Sequence, residues 1–473
     1  MARTGSINAP THDNAPRTPH ALITLLLSGP SDPEREFVRN RISYGDLYAM
    51  AAHLFHELAE EKTICLYTED RAVVAAAILS ALLGGPRLIL PYALNPRVLS
   101  EIRQIVPYQT LLTTGEAVRM PGIREFSPRA GKIPWPAAAN PPSLDVPLLY
   151  LFTGGSTGTP AGWPKTADNL LSETLNIVST YGFCKADQVV TTTSPLHIYG
   201  LLYSVLAPLA AGAGTLDGTP SFPAEIEDVI TTEKASLLVS VPAHYRALSH
   251  HSCAPFPLRM AFSSAGMLEE KDAVAFGKTH QLGIHEVYGS TETGGVACRN
   301  RFAGETAFTA FSKVTVKLKE DHVHVKSDFL SPGLPLDAEG FYKMGDRAEF
   351  IAPNRFFLTG RSDSIVKVGG KRVDLSVIRK ALMMHPEVTE ALVTAISVGR
   401  ARENQIVAVV EGTATPDALN QMLAESLEPY ARPRQIQVVN KMPVTPAGKY
   451  DRKRIELYFT EESRPWDMSL KPE

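Results

Sequence analysis

Tyr288-Gly289-Ser290-Thr291-Glu292-Thr293-Gly294-Gly295 sets an aromatic ring, a row of hydroxyls and one carboxylate between glycines. Alone, such a stretch reads as a strand end followed by an ordinary turn, because short patterns recur by chance. Its surroundings change that reading. Upstream stands a second glycine-rich run, Thr153-Gly154-Gly155-Ser156-Thr157-Gly158-Thr159-Pro160. Downstream come Gly345-Asp346, Thr359-Gly360-Arg361-Ser362-Asp363, Gly370-Lys371-Arg372-Val373 and, near the end, Thr445-Pro446-Ala447-Gly448-Lys449.

The chain between these motifs alternates strand and helix signals. Ile42–Leu58 and Arg71–Leu83 carry helical patterns, whereas Thr63–Tyr67 and Arg87–Leu90 are short apolar strand runs. Further strand candidates are Val146–Phe152, Asp187–Thr193, Ala235–Val241 and Arg259–Ser263. Alternation of this kind predicts α/β layers with parallel pairing. After about Ala303 the pattern changes. Val314, Val316 and Leu318 alternate with polar residues, Glu320-Asp321 turns the chain, and Val323 and Val325 alternate again, which predicts a β-hairpin. Mixed helix and strand signals return beyond Gly360: Leu375–Met384 and Pro416–Leu427 as helices, Val388–Ile396 and Ile406–Val410 as strands.

With 473 residues, the chain exceeds one ordinary hydrophobic core. The expected fold is mixed α/β: a large N-terminal domain (1–361) of α/β layers with a small β-rich subdomain (303–358), then a small, mobile α+β C-terminal domain (362–473). A formal net charge of -3 supplies no basic face, so nucleic acid is not an expected partner. The 4 cysteines lie far apart without CxxC spacing, which argues against a disulfide framework or a structural zinc site. Ala21–Leu27 is too short to span a bilayer, and no other segment reads as a membrane span. The cytoplasm is the expected location.

The glycine-rich run at 153–160 lacks the Gly-Lys-Ser/Thr of a Walker loop. It follows an apolar strand candidate and precedes a helix candidate from Asp168. Strand, small-residue loop and helix together aim N–H groups and hydroxyls at phosphate.

Taken in order from about Ile42 to Leu457, the motifs resemble the adenylate-forming superfamily: acyl- and aryl-CoA synthetases, adenylation domains of peptide synthetases, and luciferases. The resemblance implies ATP-dependent activation of a carboxylic acid to acyl-AMP, then transfer to a thiol. It implies that Thr153, Ser156, Thr157 and Gly158 hold the β- and γ-phosphates of ATP. Tyr288 would stack on adenine and Thr291 would bond the α-phosphate. Glu292 would hold Mg2+, a hard cation that prefers carboxylate oxygen. Asp346 would take the ribose hydroxyls, a bidentate geometry that suits a carboxylate. Arg361 and Arg372 would contact ribose and phosphate, and Asp363 would be the hinge of the small domain. Lys449 matches the catalytic lysine of the pattern Thr-x-x-Gly-Lys-x-Asp-Arg, which contacts both the substrate carboxylate and the phosphate.

Ser194-Pro195-Leu196-His197-Ile198-Tyr199-Gly200 resembles the Pro-Leu-Phe-His segment of acyl-CoA synthetases, with the Phe absent. The acyl pocket implied includes His197, Tyr199, Gly200, Ser264, Ala265, Gly266 and Gly289, and the thiol channel Val368, Gly369 and Gly370. The aspartate with which amino-acid-activating relatives pair an α-ammonium is missing, which implies an acid without an α-amino group. The implied partners are a small-molecule carboxylate, ATP and CoA. An acyl carrier protein in trans, through its phosphopantetheine thiol, is the alternative acceptor. A nucleotide-binding relative that has lost catalysis is the farther alternative.

Two departures stand out. Ala161 occupies the position where the family has lysine after the proline. Slower pyrophosphate formation, or a substitute contact from Lys165 four residues on, is expected. After Arg372 the chain has Leu375 and Val377-Ile378-Arg379 in place of the family's proline and Glu-Ile-Glu.

Overall fold

The computed structural model describes residues 16–115, 118, 120–129, 133–136, 143–154, 160–251, 255–361, 365–368, 371–398, 403–444 and 450–459. The chain divides into two compact units, Met1–Val316 with Val325–Tyr342, and Lys317–His324 with Lys343–Glu473.

The first unit contains two sheets. In one, the strands run in the order Arg124–Phe126, Thr110–Thr113, Thr63–Tyr67, Arg87–Leu90, Pro147–Gly154, Pro160–Thr166. All neighbours are parallel except the last pair. Both predicted strands Thr63–Tyr67 and Arg87–Leu90 form over those residues. Cys65, Ile89, Leu99, Leu111 and Phe152 pack into one core cluster. The alanine-rich helix Arg71–Leu82 is buried along its whole length, as an element apolar on every face must be. Asp70 caps it by accepting from the Ala72 and Val73 N–H groups. The apolar run Ala21–Leu27 is part of a nine-residue helix, Pro19–Leu27, that buries Leu22, Ile23, Leu26 and Leu27.

The second sheet includes, as consecutive neighbours up to its Ile42–Ser43 edge, Phe308–Ala310, Gly294–Arg299, Ile284–Ser290, Met260–Ser263, Leu237–Ser240, Gln188–Thr191, Gly214–Thr215, Glu36–Val38, Ile42–Ser43. From Ile284–Ser290 to Glu36–Val38 every pairing is parallel. The carboxyl ends of Gln188–Thr191, Leu237–Ser240, Met260–Ser263 and Ile284–Ser290 therefore lie on one edge. Ligands bind at such an edge in open α/β sheets.

The helix expected from Asp168 forms as Ala167–Tyr181, but the glycine-rich run at 153–160 does not lead directly into it. A strand, Pro160–Thr166, intervenes and pairs antiparallel with Pro147–Gly154, so the run closes a hairpin with Gly154 opposite Pro160. The helix Ala167–Tyr181 starts only afterwards, behind a capping box in which Thr166 Oγ1 accepts from Asn169 N and Asn169 Oδ1 accepts from Thr166 N, each at 3.1 Å. The N-terminus of that helix is thus displaced from the glycine-rich loop by a full strand.

The predicted hairpin after Ala303 forms as Thr315–Lys319 and His322–Lys326. Glu320 and Asp321 turn it with φ of 52° and 63°, the left-handed values of a type I′ turn.

The second unit is α+β. Val388–Val398 and Glu403–Gly412 pair antiparallel, and Gln435–Val439 joins parallel to the latter. The helices Leu375–Met383 and Pro416–Ser426 place Leu375, Ile378, Leu382, Leu419 and Leu423 in the core with Ala391, Ile406 and Ala408. Ile365–Val368 and Lys371–Asp374 form a separate two-stranded ribbon.

Candidate active site

Tyr288 to Gly295 lies at the carboxyl edge of the second sheet. Ile284–Ser290 pairs with Gly294–Arg299, Ser290 opposite Gly294, so Thr291, Glu292 and Thr293 form the tip of a tight hairpin. Hydroxyls knit the tip together. The Ser290 N–H donates to Thr293 Oγ1 at 3.2 Å, the Thr293 N–H donates to Ser290 Oγ at 3.3 Å, and Thr293 Oγ1 donates to Gly294 O at 2.9 Å. Thr293 is fully buried by this role, whereas Thr291 and Glu292 are half-buried. Two glycines are required here. A side chain at Gly289 would strike the Gly294 carbonyl, and Gly294 combines a φ of +67° with the Glu173 carboxylate where its Cβ would be.

The tip is held from beneath by two buried charged residues. Lys165, on Pro160–Thr166, is 1% exposed, and its Nζ donates to Phe329 O at 2.8 Å and Glu292 O at 3.3 Å. Ser331 N donates to the same Glu292 carbonyl at 2.8 Å. Glu173 sits on the buried face of the helix Ala167–Tyr181, in register with Leu170, Thr174 and Ile177, and its Oε1 accepts from Gly295 N at 2.6 Å. Burial pulls the Lys165 ammonium below the usual lysine range, opposed by the carboxylates of Glu173 and Glu292. Burial likewise pushes the Glu173 carboxyl up, opposed by Lys165 and the Gly295 N–H. Lys165 is therefore committed under the turn, and the expectation that its ammonium replaces the missing lysine of the glycine-rich loop is not met. Ala161, opposite Thr153 in the ladder, leaves that hairpin without an ammonium at this position.

Burial, with the Glu292 charge adding to it, raises the Tyr342 hydroxyl above the usual tyrosine range. The Glu292 side chain is thus close enough to Tyr342 to act through space while its backbone is fixed. Among the described residues no cluster of three or more His, Cys, Asp and Glu gathers to cage a metal. One carboxylate beside hydroxyls fits Mg2+, which is commonly held by one or two carboxylates and substrate phosphates.

Other predicted residues gather along the same sheet edge. Ser264 Oγ donates to Val287 O at 2.9 Å, which ties the Ser264–Gly266 loop to the strand bearing Tyr288 and Gly289. Ala265 has a φ of +68°, an uncommon conformation for alanine that marks a constrained loop. Tyr199 is buried, with its hydroxyl donating to Ser240 O at 3.3 Å. His197 stands at the N-cap of the short helix Ile198–Leu201, which also contains Gly200, and makes no side-chain cap there. Tyr288 packs with its ring centroid 5.8 Å from that of Phe308. On the other sheet, Thr153 Oγ1 accepts from Trp163 Nε1 at 3.1 Å.

Three polar residues of this edge escape sequence reasoning. His244 Nδ1 lies 2.7 Å from Thr192 Oγ1, which lies 2.7 Å from Ser240 Oγ. Their positions after parallel strands are the one available signal, and it needs the strand order to be used.

In the second unit, Asp346 and Arg361 face each other across antiparallel strands. Arg361 Nη1 is 3.4 Å from Asp346 Oδ1, with the guanidinium side chain 57% exposed and the carboxylate 14% exposed. Arg372 pairs through its backbone with Lys367, and Val368 with Lys371. Ser156, Thr157, Gly158, Asp363, Gly369, Gly370 and Lys449 lie outside the described residues. On either side of the Lys449 motif, Val444 and Tyr450 form an antiparallel bridge, and Asp451 N donates to Pro443 O at 3.0 Å.

The AMP-binding enzyme family matches residues 85–329, more than half of the chain, and the AMP-binding enzyme C-terminal domain matches residues 378–449. The chain belongs to the AMP-binding enzyme family. It is thereby an adenylate-forming enzyme of the acid–thiol ligase class. A sulfoacetate–CoA ligase of Cupriavidus necator is 25% identical over 375 residues, 73% of this chain and 72% of the relative. A 4-coumarate–CoA ligase of Rhodobacter capsulatus is 30% identical over 302 residues, 63% of this chain and 73% of the relative. Among solved structures, ATP-bound MatB from Rhodopseudomonas palustris matches with a TM-score of 0.80 at 19% identity, covering 92% of this chain and 98% of that one. The o-succinylbenzoate coenzyme A synthetase of Bacillus subtilis, in complex with AMP, matches with a TM-score of 0.77 at 16% identity and covers the same shares. The fold is that of these adenylate-forming structures, with a large N-terminal and a smaller C-terminal part. No described helix is long and apolar enough to cross a membrane.

Proposed function

We propose that this chain activates a carboxylic acid without an α-amino group to acyl-AMP, using ATP, and passes the acyl group to the thiol of CoA. The observation that carries the reading is the hydroxyl-knitted tip at 290–294, which offers the Thr291 hydroxyl and the Glu292 carboxylate at the carboxyl edge of a parallel sheet. The relatives named as CoA ligases support the choice of acceptor.

In the first half-reaction a carboxylate oxygen attacks the α-phosphorus, the bond to the β-phosphate oxygen breaks, and pyrophosphate leaves. Thr291 donates to the α-phosphate and Tyr288 stacks on adenine. Asp346 holds the ribose hydroxyls, and Arg361 and Arg372 face ribose and phosphate. Thr153, Ser156, Thr157 and Gly158 line the pyrophosphate side. Glu292 would hold Mg2+ together with the nucleotide, and the ion would supply charge neutralisation for the leaving group. Lys449 places an ammonium between the two reacting anions, which lowers their repulsion. Catalysis is then chiefly positioning and charge stabilisation.

In the second half-reaction the portion 362–473 rotates about Asp363, withdraws Lys449 and presents Val368, Gly369 and Gly370 beside the thiol. The sulfur attacks the acyl carbon, the bond to the phosphate oxygen breaks, AMP leaves, and the thiol proton passes to solvent. His197, Tyr199, Gly200, Ser264, Ala265, Gly266 and Gly289 line the acyl pocket. A cytoplasmic location is part of the same proposal.

The test is hydroxamate trapping of the adenylate across a carboxylic-acid library, followed by CoA or carrier proteins with the acid that responds. Hydroxamate with at least one acid and a CoA thioester from it are expected. A thioester with a carrier protein and none with CoA would move the acceptor. ATP binding without hydroxamate from any acid would leave a nucleotide-binding protein.

A further inference from the structure

We propose that Lys165 and Glu173 are positioning residues that hold the Thr291–Thr293 tip in its phosphate-gripping shape. The role rests on the ATP reading above, but neither residue belongs to the contacts assigned there. Both act on backbone atoms. Lys165 Nζ fixes the Glu292 carbonyl at 3.3 Å and, through Phe329 O at 2.8 Å, ties it to the segment whose Ser331 N–H donates to that same carbonyl. Glu173 Oε1 fixes the Gly295 N–H at 2.6 Å, on the far side of the tip. The two anchors bracket the residues whose side chains must face a nucleotide. Holding Glu292 by its carbonyl fixes the backbone from which its side chain projects.

Stability alone is a poor reason for this arrangement. Lys165 is 1% exposed and Glu173 4% exposed. Buried charges are heavily desolvated, and an apolar pair of similar volume is often as stable or more so. A buried ammonium does what an apolar side chain cannot: it donates to two carbonyls at once. Its place in the chain matters too. Pro160–Thr166 begins at the glycine-rich hairpin and carries Lys165 near its other end, so one strand links the two loops assigned to the phosphates.

The experiment compares wild type, Lys165→Met, Lys165→Arg, Glu173→Gln and the double variant Lys165→Met/Glu173→Leu. Readouts are MgATP affinity by titration calorimetry, KM for MgATP and for the acid, thermal midpoint, and hydrogen exchange of the Gly295 amide. Lys165→Met should weaken MgATP binding at least about tenfold, as a lost charge-assisted contact does, and leave the KM for the acid within about threefold. Lys165→Arg should recover part of the affinity. Glu173→Gln keeps an acceptor for Gly295 N and should stay within about threefold for MgATP. In the double variant the thermal midpoint should return towards wild type while MgATP binding stays weak and the Gly295 amide exchanges faster. MgATP affinity within about twofold of wild type in Lys165→Met would overturn the proposal. Recovery of wild-type affinity in the double variant would do the same, since the pair would then be structural. A wild-type protein that binds no MgATP would instead remove the nucleotide reading, and this proposal with it.

Discussion

The tip at 290–294 and the Asp346–Arg361 pair are both assigned to the nucleotide, yet they are built in opposite ways. Thr293, Ser290 and the buried Lys165 and Glu173 fix the backbone of the tip before any ligand arrives. Arg361 and Asp346 meet across a strand pair at 3.4 Å with the guanidinium largely in water. With the guanidinium 57% exposed, the attraction is screened by water and contributes little to stability, about 0–1 kcal/mol. The lesson is a division of labour. The backbone of the tip is pinned from inside the fold, whereas the Arg361 guanidinium stays at the surface, where it can adjust to the ligand proposed for it.

The strongest attack on this division comes from the end of the chain. Lys449→Ala should lower adenylation at least about a hundredfold, the scale of a lost electrostatic donor, while thioester formation from pre-made acyl-AMP stays largely intact. Near-normal pyrophosphate exchange would show that the tip and the ion pair suffice without an ammonium.

Stability sharpens the comparison next. Lys165→Met leaves Glu173 buried without a nearby cation and should destabilise the fold by about 3 kcal/mol, measured by denaturant unfolding. Arg361→Ala should change stability by less than about 0.5 kcal/mol and still raise the KM for MgATP. Equal stability losses in the two variants would erase the distinction.

Sequence reasoning reached these two regions unequally. Thr63–Tyr67 and Arg87–Leu90 were legible to the residue because a fully buried parallel strand is a continuous apolar run. The hairpin at 315–326 was legible from alternation. Pro160–Thr166 was not, because Pro160, Gly162 and Pro164 punctuate it like a loop. It is the edge strand of its sheet, where proline removes no obligatory ladder bond. The burial of Lys165 and Glu173 was invisible for another reason. Lysine and glutamate are almost always solvated, and only the packing of the strand against the helix Ala167–Tyr181 buries them. The family itself was readable, since the order of the motifs along the chain carries information that no single turn does.

Ala161→Lys tests the glycine-rich hairpin, the third region assigned to phosphate. An added ammonium there should lower the KM for ATP or raise the adenylation rate, by a factor near or below about a hundred, since a charge-assisted contact contributes roughly 1.5–3 kcal/mol at most. The acid preference should not move. An unchanged ATP dependence would mean that backbone N–H groups and hydroxyls already satisfy the phosphates.

A pH-dependent effect lies beneath the sheet edge. Burial between Tyr181 and Phe262 pulls the His285 imidazole down to about 4. A histidine whose folded-state value is depressed favours folding above its unfolded value, about 6.5, and that contribution fades as pH falls towards 4. His285→Phe should therefore lose less stability than wild type between pH 6.5 and 4, by at most about 3 kcal/mol. Parallel stability curves would show that the ring is not held neutral by its burial.

Carboxylate-dependent exchange of labelled pyrophosphate into ATP bears most directly on the central claim. The wild-type chain is expected to exchange only when a suitable acid and magnesium are both present, and Glu292→Ala to lose that exchange while its fold persists. Exchange that ignores the acid, or that survives loss of the Glu292 carboxylate undiminished, would contradict the assignment of the 290–294 tip to adenylate formation.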